Sequence, residues 1–134
     1  MFLLINLIVL CFYFTYTDIR YRIIPNGVIY PALYMVFFWR LLEPSFFMGL
    51  IPALLLVLFF WFMPNAIGGG DIKLIALIGL VIGLELTWCM LFYMACSGAI
   101  YYLFVRLLYK FQGKYVPLAP FITVGVLLVY CIQL

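Results

Sequence analysis

The chemistry open to this chain is narrow. Its 134 residues include no His, four Asp/Glu and seven Lys/Arg. A His-based triad and a His metal site are therefore excluded. Four Cys stand at 11, 89, 96 and 131 and form no C-x-x-C pair, so zinc-ribbon and thioredoxin-like chemistry fails on spacing. They read as small apolar residues inside helices. What remains is carboxylate chemistry, from Asp18, Glu43, Asp71 and Glu85. Asp71 follows Gly68-Gly69-Gly70, and Asp18 lies in the polar stretch T-D-I-R-Y-R-I-I-P-N-G at 17–27.

Two carboxylates held close cannot both ionise readily, so such a pair shares a proton. The ionised member can draw a proton from water while the protonated member donates to a substrate carbonyl oxygen. A tetrahedral gem-diol follows, then C–N cleavage. The pair would titrate as a unit, so neither role is assigned to one residue. A glycine run lets backbone approach another segment closely and reach positive φ. Beside a carboxylate it could let an extended peptide lie against the main chain. Irregular backbone at membrane depth is tolerated where it lines a wet cavity. A phosphate loop fits poorly, because G-x-x-x-x-G-K-[ST] is absent. Plainer readings stand beside this one. Asp18 could be a solvated loop residue, a cap, or an ion-pair partner of Arg20 or Arg22. Asp71 could cap a helix after an ordinary glycine turn.

The elements that must position these residues follow from composition. The chain is 71% apolar and 8% charged, with a mean hydropathy of +1.34; a soluble domain carries roughly 25% charge. A soluble fold, a secreted disulfide scaffold, a disordered tail and a basic nucleic-acid domain are excluded. The fold class is all-α, a polytopic membrane protein in one domain over 1–134. Its first run lacks a basic n-region and reads as a retained span rather than a cleaved signal.

Punctuation divides the chain into six spans, near 2–17, 28–42, 46–63, 71–84, 86–108 and 118–132. Pro25 with Asn26-Gly27 reads as a helix stop and turn. Pro52 is a possible kink. Pro64-Asn65 and the glycine run form the next break. The proline-free stretch from Asp71 to Tyr109 would be about 58 Å long as one helix, so it must turn, and Gly79, Gly83 and Glu85 place the break near 83–86. Small residues at Ala95, Ser97, Gly98 and Ala99 could let span five approach a neighbour closely. With six spans, one side carries Arg20, Arg22, Lys73, Arg106, Lys110 and Lys114, and the other carries Arg40 with Glu43 and Glu85. The positive-inside rule then puts both termini outside and the odd loops in the cytoplasm. Asp18 and Asp71 fall on the cytoplasmic face at similar depth, although neither was used to derive it.

These segments resemble a known family. G-G-G-D-I-K-L at 68–74 resembles the G-x-G-D-x-K-L signature of the prepilin peptidases, one branch of the G-x-G-D intramembrane aspartyl proteases. T-D-I-R-Y-R-I-I-P-N at 17–26 resembles the segment around their first catalytic Asp. V-P-L-A-P-F-I-T-V-G at 116–125 is similar to their late Pro-x-x-Pro-Phe stretch. The resemblance implies that Asp18 and Asp71 are the catalytic pair. It assigns Gly68, Gly69, Gly70, Lys73, Pro25, Asn26, Pro117 and Pro120 to the active-site loops or to substrate binding. Implied substrates are type IV prepilins, pseudopilins or Flp-type pilins, cut between a short basic leader and an apolar helix at the cytoplasmic face of the cell membrane. No cofactor, metal or nucleic acid is implied; membrane lipid is the surrounding partner.

Lys73 could bias the local potential or snorkel to lipid phosphates. Arg20 and Arg22 read as topology markers, since they would repel a basic leader. Long members of the family carry an early cytoplasmic segment with paired C-x-x-C motifs, linked to N-methylation of the product. Here Asp18 closes the first span and leaves no room for it. Peptidase activity without methyltransferase activity is expected, as in short members from tight-adherence systems and archaeal preflagellin peptidases. The competing reading is a small carrier or assembly subunit that uses Asp18 and Asp71 to bind a cation.

Overall fold

The computed structural model describes residues 2–62, 68–109 and 117–133, and among these every regular element is helical. The order is α1 (Phe2–Tyr21), α2 (Asn26–Arg40), a 3-10 segment (Pro44–Leu50), α3 (Ile51–Phe62), α4 (Gly69–Ile82), α5 (Leu84–Tyr109) and α6 (Ala119–Gln133). The ends of these elements fall within about one turn of the six expected spans. Among the described residues, three runs are long and apolar enough to cross a membrane: Leu3–Tyr21, Pro44–Phe62 and Leu84–Leu107. The apolar run Ala119–Ile132 is shorter, and α2 and α4 have 15 and 14 residues. Pro64, Asn65, Lys110 and Lys114, which the sequence reading uses as breaks and charges, lie outside the described residues.

Two sequence expectations need correcting here. Pro25 and Asn26-Gly27 do not form a stop and turn. Pro25 is the residue before α2, and its carbonyl accepts the N–H groups of Val28 and Ile29 at 3.1 and 3.2 Å. Asn26 and Gly27 are already helical. Proline serves well here because its fixed φ starts a helix and its missing N–H would have had no partner anyway. Pro52 marks a change of helix type rather than a simple kink. It cannot donate to the Met48 carbonyl four residues earlier. That carbonyl instead receives the Ile51 N–H across the tighter 3-10 spacing.

α4 is the core. Eight of its residues are buried, from Ile72 to Val81, and α1, α2, α3, α5 and the 3-10 segment all pack on it. A helix apolar all round needs such an enclosure. Its closest contact is backbone on backbone. A Cβ on either Gly49 or Gly79 would sit 2.0 Å from the other's carbonyl oxygen, so both positions require glycine. The small residues of α5 do not make the equivalent contact. Ala95 and Ala99 are exposed, and Ser97 and Gly98 are only half-buried. The close approach between α5 and α6 is made by Gly125, where a Cβ would lie 2.7 Å from the Met90 carbonyl oxygen. Gly98 meets α6 only at ordinary distance, where a Cβ would lie 3.9 Å from the Phe121 ring.

Polar contacts give the helix directions. α2 and α4 meet at their starts, where Lys73 Nζ donates to Asn26 Oδ1 at 2.9 Å. They meet again at their ends, where Arg40 donates to the Val81 carbonyl at 2.9 Å, so they run parallel. Arg40 also pairs with Glu43 and lies 3.5 Å from the Phe46 ring centroid. A cation on the last carbonyls of α4 suits the negative end of that helix. α1 and α6 run antiparallel, since Asp18 near the end of α1 meets Ala119 at the start of α6. Gly83, with φ +84° and ψ 176°, lies between α4 and α5 and reverses the chain.

Candidate active site

Asp18 lies in the last turn of α1 and is 9% exposed. Its carboxylate Oδ2 accepts the Ala119 N–H at 3.0 Å. The start of α6 is built for this contact. Leu118 precedes the helix, and its carbonyl takes the N–H groups of Phe121 and Ile122 at 3.1 and 3.2 Å. Pro120 has no N–H to offer. The Ala119 donor therefore points out of the helix, where an anion is favoured. Beyond Asp18 the chain leaves α1 through Arg22, whose N–H donates to the Asp18 carbonyl at 2.9 Å. Arg22 has φ +54°, the left-handed conformation that often ends helices and that most residues avoid. This sharp exit carries Ile23 and Ile24 back toward α4.

Asp71 lies in the first turn of α4, after Gly68 in extended conformation. Its N–H donates to the Gly68 carbonyl at 3.0 Å. Its carboxylate folds back over this turn, so a Cβ on Gly68 would lie 2.9 Å from Asp71 Oδ2. A Cβ on Gly70 would lie 3.0 Å from the Ile24 Cβ. Glycine here admits both the carboxylate and the chain returning from α1. The two carboxylates line one open cavity of about 330 Å³. They are close enough for the charge of Asp18 to be felt at Asp71.

Of the residues singled out in the sequence, Asn26, Gly68, Gly69, Gly70 and Lys73 also line this cavity. Pro25, Pro117 and Pro120 are not among its walls. Pro25 caps α2, while Pro117 and Pro120 flank the Ala119 donor. Lys73 reaches across to Asn26 and lies 4.6 Å from the Tyr30 ring centroid, tying α4 to α2. The sequence reading did not include Arg22, Ile23 or Ile24, which complete the walls. Arg22 counted there as a topology marker or an ion-pair partner of Asp18, not as a wall of the site. Its signal was its place four residues after Asp18 in the same polar stretch. The Ala119 N–H has no side-chain signature. Among the described residues, no three His, Cys, Asp or Glu side chains gather into a metal-holding group.

The type IV leader peptidase family matches residues 5–103 of this chain. The chain belongs to that family. The prepilin leader peptidase/N-methyltransferase of Bacillus subtilis (strain 168) is 33% identical over 121 residues, which cover 85% of this chain and 49% of that protein. The chain thus spans about half the length of the curated relative it matches. No solved structure matches it. The family match includes both carboxylates and the glycine run. It ends before the Pro117–Gly125 stretch, whose place beside Asp18 comes from the fold.

Proposed function

We propose that this leader peptidase is of the aspartic type and that Asp18 and Asp71 carry its chemistry. The observation that supports this most is the single cavity into which both carboxylates open, beside three glycines. A water held between the carboxylates loses a proton to the ionised one. It attacks the scissile carbonyl, whose oxygen takes a proton from the other. The gem-diol collapses as the leaving nitrogen is protonated. Gly68, Gly69 and Gly70 leave the main chain open for an extended substrate strand, and Lys73, donating to Asn26, ties α4 to α2 at the same cavity.

The substrates in this reading are type IV prepilins, pseudopilins or Flp-type pilins, cut at the junction between leader and apolar helix. The six helices are six spans with both termini outside, and the cavity opens to the cytoplasm. The charge distribution supports that orientation, and so does the gathering of Arg22 and Lys73 at the cavity, with Arg40 and Glu43 at the far ends of α2 and α4. The cysteines at 11, 89, 96 and 131 form no C-x-x-C pair, and the proposal covers peptidase activity alone.

The test is co-expression with pilins encoded by the same organism, with leader loss read by mass. The wild type removes the leader. Asp18→Asn and Asp71→Asn each abolish cleavage while the protein still inserts. Retained cleavage in either variant refutes the dyad. Cation-dependent stabilisation without leader loss would favour a carrier.

A further inference from the structure

Deeper along α1 and α6 lies a polar cluster that the proposed chemistry does not use. Thr123 of α6 is 4% exposed, and its hydroxyl lies 2.6 Å from the half-buried Thr15 hydroxyl of α1. The same oxygen is 3.0 Å from the Ala119 carbonyl and 3.3 Å from the Cys11 carbonyl. A hydroxyl has one proton and two acceptor sites. Thr123 can therefore donate to a carbonyl while Thr15 donates to it. Ala119, which is 0% exposed, is held from both sides. Its carbonyl lies on Thr123, one turn along α6, and its N–H lies on Asp18.

This arrangement solves a mechanical problem. The remaining contacts of α6 in the core come from Ile122, Val126 and Val129, and apolar contact is non-directional. It tolerates small slides and rotations along a helix pair. The close approach at Gly125 fixes α6 to α5, not to α1. A slide of α6 along α1 would pull the Ala119 N–H off Asp18 and turn that carboxylate within the cavity.

We propose that Thr123 and Thr15 are positioning residues. Their hydroxyl pair sets the register of α6 on α1, and through the Ala119 N–H it aims the Asp18 carboxylate at the cavity it shares with Asp71. This rests on the reading of Asp18 and Asp71 as the catalytic pair.

The test uses the purified full chain and a prepilin that the wild type cleaves. Thr123→Val keeps the shape and removes the hydroxyl. A displacement of about 1 Å at a reacting group can cost about a hundredfold, so a partial loss of aim predicts about a tenfold fall in kcat. KM for the prepilin stays unchanged, because no substrate contact is touched. Thr123→Ser restores most of kcat. Thr15→Val shows the same kind of defect, and the double variant is no worse than Thr123→Val, because both act through one link. Wild-type kcat in Thr123→Val overturns the proposal. So do equal defects in the Ser and Val variants, a change confined to KM, or multiplicative losses in the double variant. If Thr123→Val fails to insert, Thr15→Val carries the test, and wild-type kcat there overturns it. A wild type that cleaves no prepilin refutes the peptidase reading. A cleaving wild type with unchanged threonine variants refutes this inference alone.

Discussion

Gly79→Ala is the sharpest probe of how the fold holds the site. Its new Cβ would lie 2.0 Å from the Gly49 carbonyl oxygen and 2.8 Å from the carbonyl carbon. An ordinary C···O contact begins near about 3.3 Å, so the two backbones must separate by roughly 1.3 Å. Neither atom is the far end of a flexible side chain, and so no rotamer change relieves the clash. α4 is enclosed by five elements, and a gap of about 1 Å forfeits up to about half the dispersion attraction along the parted surface. Overpacking of this kind costs about 1–3 kcal/mol, and a clash between two backbones belongs at the upper end.

Gly79 also lies about 12 Å along α4 from Asp71, so a shifted α4 carries the carboxylate with it. The assay is thermal unfolding in detergent, followed by leader cleavage at a temperature where both proteins are folded. The variant unfolds at lower temperature, and kcat falls about tenfold as Asp71 moves. Gly49→Ala destabilises by a similar amount. Wild-type melting in Gly79→Ala would refute the backbone contact. Lowered melting with full kcat would show that the 3-10 segment retreats and α4 stays.

Asp18→Ala and Asp18→Asn separate the two tasks of that carboxylate. Both lose cleavage, but only Ala leaves the buried Ala119 N–H without an acceptor, so Ala melts lower by about 1–3 kcal/mol while Asn stays close to wild type. Gly83→Ala places a side chain in a backbone conformation that only glycine adopts readily, and thermal unfolding should show a loss of about 1–3 kcal/mol. Arg40→Met strips the Val81 carbonyl of its donor at the end of α4. A loss of about 1–2 kcal/mol in the same melt is expected, with cleavage retained at temperatures where the variant is folded.

Much of this architecture is legible in the sequence because the chain is so apolar. With eleven charged side chains, each Asp, Arg or Gly-Gly step stands out, and the helix ends follow from them. Gly83 was readable as a turn because an unbroken helix from Asp71 to Tyr109 would be too long. The pairing of Asp18 with Asp71 was readable because charge counting brought both to one face. Local turn statistics failed at Asn26-Gly27, where the preceding Pro25 starts a helix and overrides the dipeptide's preference. Hydropathy cannot separate 3-10 from α backbone, so the Pro44–Leu50 segment was invisible. The small residues of α5 matched a packing pattern, but where two helices approach most closely depends on both, and here it is Gly125 of α6 that admits α5. The bond from Ala119 to Asp18 was least accessible of all. It joins a main-chain donor to a side chain at the other end of the sequence, and only the antiparallel pairing of α1 with α6 creates it.

The shortness of α4 has a consequence for how water and substrate meet. With 14 residues it is about 21 Å long, against about 39 Å for the 26 residues of α5 and roughly 30 Å of hydrocarbon in a bilayer. Set in a bilayer, the helix that carries Asp71 is mismatched by nearly a third of the apolar slab. Five elements enclose it, so lipid does not fill the shortfall; the open cavity at its start does. If Asp18 and Asp71 carry the chemistry as proposed, water reaches them through that cavity and needs no long channel. In that reading the aqueous boundary is drawn in to the scissile bond, and the shortness of one enclosed helix sets how far.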